Sequence, residues 1–168
     1  HLTADESLAV LSAYGVPIVP SLTVASPHAA RRAGAQLGYP VALKISSSRL
    51  LHKTDVRGVV LDLADGDALE AELMRMATTL ADQDPDLAFV VQPMVQGGLE
   101  LIAGIVTDPQ FGPLVMFGLG GTQAEILRDV AFRLTPLTRP DAEDLLDSLR
   151  ASALLGPFRG RAAIDRER

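Results

Sequence analysis

Lysine occupies only Lys44 and Lys53 in this chain, whereas arginine occurs thirteen times, so most cationic positions are guanidinium. Both lysines and His52 fall within ten residues of one another, and a compact ammonium group suits point contact with a phosphoryl oxygen. Lys44 follows the apolar run Pro40-Val41-Ala42-Leu43. Burying its ammonium there is costly unless an anion compensates it, and a phosphate is one such anion. The alternative is a lysine whose stem snorkels past the strand end into water. The polar stretch beyond it carries three serines, His52, Lys53, Thr54 and Gly58, which together can fold over a triphosphate through backbone N–H groups and cationic side chains.

Neutral imidazole is a competent nucleophile toward a phosphoryl group, and Lys53 beside His52 can offset the charge of the product. A structural or solvent-facing loop histidine is the competing reading. Metal ligation fits poorly, because no HExxH and no nearby histidine partner accompany His52. Of the other histidines, His1 is terminal and His28 stands beside a helix-starting proline. Gln92 can hydrogen-bond an adenine edge and Glu100 can accept from ribose hydroxyls, although polar strand residues are also the ordinary wet side of a sheet. No G-x-x-x-x-G-K-[ST] is present, and the cluster at Gly118 has Gln123 where a dinucleotide fingerprint needs its last glycine. That cluster reads first as tight-turn chemistry, with ligand contact as the option.

The elements that must position these residues are legible in outline. Thr3 and Glu6 have capping-box spacing ahead of a helix that stops at Gly15. Val16 to Val24 is an edge strand or an extended linker, because Pro17 and Pro20 interrupt it. Ser26-Pro27 opens a second helix that Gly38 ends. Pro40 to Ile45 and Val59 to Leu63 form a strand, loop, strand unit, and Leu69, Leu73, Met76 and Leu80 mark the buried face of the helix after Asp67. Met76 is therefore core rather than site. Leu87–Val95 and Leu99–Thr107 read as two strands of a hairpin turning at Gly97-Gly98, which would place Gln92 and Glu100 on neighbouring strands. Asp108-Pro109 turns the chain toward Pro113–Phe117, and Thr138 with Pro140 opens a helix to about Arg150. The order of elements predicts an α+β protein.

Composition narrows the partners. A formal charge of −6 and a pI near 5.0 oppose binding to a phosphate backbone, so no nucleic acid is expected. Cysteine is absent, which removes disulfides and thiolate metal sites. No apolar run approaches the length of a spanning helix. No membrane partner and a cytoplasmic location are the expectation, with an oligomer left open.

Taken in order, several segments resemble the ATP-grasp subunit of ADP-forming acyl-CoA synthetases. They are Gly38-Tyr39-Pro40-Val41-Ala42-Leu43-Lys44, His52-Lys53-Thr54-Asp55-Val56-Arg57-Gly58-Val59, Val91-Gln92-Pro93-Met94 and Gly98-Leu99-Glu100-Leu101. The likeness continues through Asp108-Pro109-Gln110-Phe111-Gly112-Pro113, Phe117 to Gly121, Glu125 to Val130 and Phe158-Arg159-Gly160. The β subunit of succinyl-CoA synthetase shares a weaker version.

This resemblance implies an ATP-grasp fold, in which two α+β lobes hold ATP between them. Residues about 16–92 would form the small nucleotide-binding lobe, and 1–15 with 93–168 parts of the larger one. Lys44 would contact the phosphates, His52 to Thr54 would form the loop over the nucleotide, Gln92 to Met94 would lie at the adenine and Glu100 at the ribose. His52 matches the family's second, mobile histidine, which passes a phosphoryl group to ADP. Its first phosphohistidine belongs to separate CoA-binding domains, the expected partners. The chain is expected to be a fragment truncated at its C-terminal side and inert alone, with the Mg²⁺ ligands mainly in the missing segment and no metal ligand assigned here. Arg57 replaces the first glycine of the usual His-Lys-Thr-Asp-Val-Gly-Gly-Val pattern, which puts loop closure in question. Related domains are also fused to protein acetyltransferases, so a non-catalytic, ligand-sensing domain is the alternative.

Overall fold

The computed structural model describes residues 4–47, 49–50, 56–121, 127–157, 160 and 162–166. The chain divides into two units, His1–Gln96 and Gly97–Arg168.

In the first unit, helix α1 (Ala4–Ala13) stops in a Schellman turn. Gly15 has φ 78°, its N–H reaches Ser12 O, and Val16 N reaches Leu11 O at 3.1 Å, which satisfies carbonyls the helix end would otherwise leave open. Strand β1 is only Leu22–Val24, so the proline-broken stretch before it is extended rather than paired. Helix α2 (Pro27–Leu37) begins at Ser26, whose Oγ accepts from Ala29 N, and ends at Gly38. Strands β2 (Val41–Ser46) and β3 (Val59–Leu63) follow. Helix α3 (Gly66–Leu80) is capped by the Asp65 side chain, two residues earlier than the expected start after Asp67. Strand β4 (Ala88–Pro93) completes an antiparallel sheet of order β1-β4-β2-β3.

Strand periodicity decides where the core sits. Val41, Leu43 and Ile45 alternate along β2 and are fully buried, as is Val91 on β4. With Phe89, Val24 and Leu63 they pack against Ala30 and Ala33 of α2 and Leu69, Leu73, Met76 and Leu80 of α3, so Met76 is indeed core. Gly34 lets Tyr39 lie across α2, since a Cβ there would collide with the Tyr39 ring. Burial raises the Tyr39 phenol above its ordinary pKa. On the outer surface Arg31 bridges Asp67 and Glu70, which ties α2 to α3. The Glu70 carboxyl is held below its usual range first by the Arg31 hydrogen bond. A register shift opposite Val41 and Leu43, with Asp62 at φ 58°, marks a bulge in β3.

The second unit holds β5 (Leu101–Asp108), β6 (Gly112–Leu119) and β7 (Val130–Leu134) in an antiparallel sheet of that order. Helix α4 (Arg139–Asp147) starts from a capping box between Thr138 and Asp141 and is followed by a 3₁₀ turn at Ser152–Leu155. Arg133 on β7 reaches across to Ser148 Oγ at 2.7 Å, and Leu119, Leu145, Leu149 and Leu155 are buried.

One expectation fails. Gly97 and Gly98 both have positive φ, yet β4 and β5 do not pair. Both edges of β4 are already occupied, by β1 and by β2, so β5 pairs with β6 instead. Strand β7 was unforeseen because its alternation is short and only weakly buried. Among the described residues no helix is long and apolar enough to cross a membrane.

Leu43→Ala should lower the unfolding free energy by about 2–5 kcal/mol in urea denaturation. Leu61→Ala, at an exposed position on β3, should change it by less than about 0.5 kcal/mol.

Candidate functional site

Because α2 and α3 cover the Val41, Leu43 and Ile45 face, the intervening residues Ala42, Lys44 and Ser46 lie on the other face of the sheet. Lys44 stands opposite Val90 on β4, and Gln92 stands opposite Ala42. The two polar residues are thus diagonal neighbours on one face. Lys44 Nζ donates to Gln92 Oε1 at 2.8 Å, and both side chains are half-buried. With its oxygen accepting from Lys44, the Gln92 amide retains its NH₂ as a donor. Met94, just past β4, spends its backbone N–H on Pro40 O at 3.1 Å, which joins the end of β4 to the start of β2.

His52, Lys53 and Thr54 lie outside the described residues. The points from which their segment leaves and returns are described. Ser47 Oγ donates to Asp84 Oδ2 at 2.6 Å and accepts from Arg49 N at 3.0 Å and Leu50 N at 2.9 Å. Asp84 is only 4% exposed, and its other oxygen accepts from Asp86 N at 3.1 Å. The Ser47 hydrogen bond, then the Asp86 N–H and nearby Arg49, outweigh burial and hold the Asp84 carboxyl below its ordinary pKa. On the return, Ile45 N donates to Gly58 O at 2.8 Å. Arg57 has φ 52°, a left-handed conformation that glycine adopts without cost.

In the second unit, Glu100 precedes β5 and is exposed. Its carbonyl accepts from Gly120 N at 2.8 Å. A Cβ at Gly121 would collide with the Glu100 carboxylate, one at Gly120 would come within 3.1 Å of the Glu100 and Leu101 backbone, and one at Gly118 would strike Asp129 O. The glycine run is therefore a packing requirement that seats Glu100. Gln92 lies on β4 and Glu100 just before β5, and these two strands do not pair, which corrects the expected hairpin pair. Sequence reasoning missed Ser47 and Asp84, because an aspartate in Asp82-Gln83-Asp84-Pro85-Asp86 reads as one more solvated loop charge. It also missed the role of Asp129, which is 6% exposed and accepts from Arg150 N at 2.9 Å and Ala151 N at 2.8 Å. Burial works to raise that carboxyl, but the two N–H groups and Arg150 prevail and lower it. Among the described residues no group of three His, Asp or Glu side chains gathers as a metal site.

In the first unit, Lys44 and Gln92 are joined on the sheet face opposite α2 and α3, a donor set suited to the acceptors of a nucleotide; in the second unit, the exposed Glu100 carboxylate is an acceptor seated against Gly121. A family model described as an ATP-grasp domain matches residues 1–168. The chain belongs to the ATP-grasp family, in the branch of the ADP-forming acyl-CoA synthetases. It is 39% identical over 168 residues to an ADP-forming acetate–CoA ligase I of Archaeoglobus fulgidus, matching 98% of this chain and 24% of that protein. It is 35% identical to the β subunit of an ADP-forming acetate–CoA ligase II of Pyrococcus furiosus, matching 96% of this chain and 70% of the subunit. The chain thus spans about a quarter of the longer relative's length and most of the β subunit's. Among solved structures, the dinucleotide-forming acetyl-coenzyme A synthetase 1 of Ca. Korarchaeum cryptofilum, in complex with coenzyme A, Ca-AMPCP and HgCl⁺, superposes with a TM-score of 0.89 at 37% identity, covering 99% of this chain and 74% of that one. Another structure of that synthetase, with coenzyme A and Mg-AMPPCP, has its phosphohistidine segment pointing towards the nucleotide binding site.

The depressed carboxyls set a direction for pH. Stability from Asp84 and Asp129 is fully present above the ordinary carboxyl pKa and is lost as pH falls through their lowered folded-state values. Unfolding free energy measured in denaturant should therefore fall below about pH 4, and Asp129→Asn should flatten that fall while lowering stability at neutral pH.

Proposed function

We propose that this chain is the nucleotide-binding part of an ADP-forming acyl-CoA synthetase, which interconverts acyl-CoA, ADP and phosphate with a carboxylic acid, ATP and CoA. The observation that carries the reading is the Lys44–Gln92 contact on the helix-free face of the first sheet, in a chain that superposes over 99% of its length on a synthetase holding Ca-AMPCP. In this reading Gln92 offers its NH₂ to an acceptor nitrogen of adenine, with Met94 alongside. Lys44 supplies positive charge to phosphoryl oxygens, Lys53 and Thr54 add a cation and a hydroxyl from the loop, and Glu100 accepts from ribose hydroxyls. Residues about 16–92 serve as the small lobe, and 1–15 with 93–168 contribute to the larger.

His52 is the catalytic group. It receives a phosphoryl group from a histidine on a separate CoA-binding domain and gives it to ADP. A terminal ADP oxygen attacks phosphorus, the P–N bond breaks as the new P–O bond forms, and neutral imidazole leaves. The phosphohistidine segment directed at the nucleotide site of the Korarchaeum enzyme supports such a relay.

In the full-length protein, Lys44→Ala should raise the ADP dissociation constant roughly 10- to 100-fold by calorimetry, the worth of a charge-assisted contact. An unchanged constant would sink the assignment. Incubation with ATP and Mg²⁺ should leave phosphate on the wild type and none on His52→Asn. No labelling at any metal concentration would favour the ligand-sensing alternative.

A further inference from the structure

The nucleotide reading uses none of the groups at the root of the His52-bearing segment, yet one of the most deeply buried carboxylates of the described chain is found there. Asp84, in the loop between α3 and β4, is 4% exposed and takes the Ser47 hydroxyl hydrogen at 2.6 Å. Ser47 is the first residue after β2, three positions beyond Lys44. Its oxygen simultaneously receives Arg49 N at 3.0 Å and Leu50 N at 2.9 Å. Donation to a carboxylate polarises a hydroxyl and strengthens it as an acceptor, so the carboxylate stabilises the turn through Ser47. The N–H groups of Arg49 and Leu50 are thereby held on the Ser47 side chain, a local side-chain-to-backbone cap just past β2. Asp84 is itself fixed, because its N–H donates to Leu80 O at 3.0 Å at the end of α3 and its carbonyl accepts from Leu87 N at 3.3 Å ahead of β4.

We propose that Asp84 is a positioning residue that acts through Ser47 to set the direction in which the segment carrying His52 departs from β2. The inference rests on the phosphohistidine reading for its catalytic consequence, but not for its geometry. Lys44 and Gln92 lie on strand positions, so their share of nucleotide binding does not depend on this clamp, whereas the share from Lys53 and Thr54 and, above all, phosphoryl transfer at His52 do. Such a separation is what distinguishes positioning from general loss of structure, because transfer is steeply sensitive to the placement of the reacting group.

The test uses the full-length protein with Asp84→Ala, Ser47→Ala, the double variant, and Ser47→Thr as the conservative replacement that keeps a hydroxyl. The expected result is His52 phosphorylation slowed at least about tenfold in both alanine variants, an ADP dissociation constant that rises by a clearly smaller factor through Lys53 and Thr54, no further loss in the double variant, and recovery in Ser47→Thr. Amide hydrogen exchange at Arg49 and Leu50 should quicken in the alanine variants while α2 and α3 stay protected. Unchanged exchange at those two amides would overturn the clamp. Faster exchange with undiminished phosphorylation would overturn its role in transfer. If the wild type takes no phosphate at His52, the proposed function fails, and exchange at Arg49 and Leu50 alone decides the clamp.

Discussion

One-sided burial of the first sheet governs the rest of this chain. Val41, Leu43 and Ile45 must all enter the space under α2 and α3, and a strand has a two-residue period. Ala42, Lys44 and Ser46 are therefore committed to the opposite face whatever their own preferences. The same rule on β4 buries Phe89 and Val91 and turns Val90 and Gln92 outward with them. The contact between Lys44 and Gln92 is in this sense a by-product of the hydrophobic core. Shifting β2 by one residue would bury the ammonium and expose three aliphatic side chains, so the core guards the register of the site.

Polar groups near the candidate site are held by a second device, the pairing of buried carboxylates with chain ends that have donors to spare. Asp84 collects the Ser47 hydroxyl and the Asp86 N–H. Asp129 collects the N–H groups of Arg150 and Ala151. Each carboxylate replaces lost hydration with fixed donors and so remains ionised inside the fold. Neither works by an ion pair alone, and each joins segments that the sequence separates by many residues. This is how irregular stretches are given a defined geometry on a scaffold of helices and strands.

Close approach of backbone explains the glycines. Gly118 and Gly120 leave room for neighbouring main chain, and Gly121 leaves room for the Glu100 carboxylate. Arg57 shows the converse case. It adopts a left-handed φ of 52° that costs a residue with a Cβ on the order of 1 kcal/mol, and its side chain is exposed.

The stop of α1 at Gly15, both ends of α2, the Thr138 start of α4, the buried stripe of α3, the β2–β3 unit and the β5–β6 turn were legible in the sequence, because caps, periodicity and turn residues are local signals that neighbouring residues carry together; Thr3 lies outside the described residues. Lys44 and Gln92 were also legible as candidates, by their polar character in apolar runs and by the family resemblance. Strand partnership was not. Gly97-Gly98 has the local chemistry of a hairpin, but whether β4 could accept β5 depended on its edges, and β1 and β2, distant in sequence, had already filled them. The Asp84–Ser47 contact escaped for a similar reason, since the burial that turns a loop aspartate into a structural anchor arises only when α3 is packed against the sheet. Local composition determined which elements this chain forms, and only the competition for sheet edges and buried volume decided which of them meet.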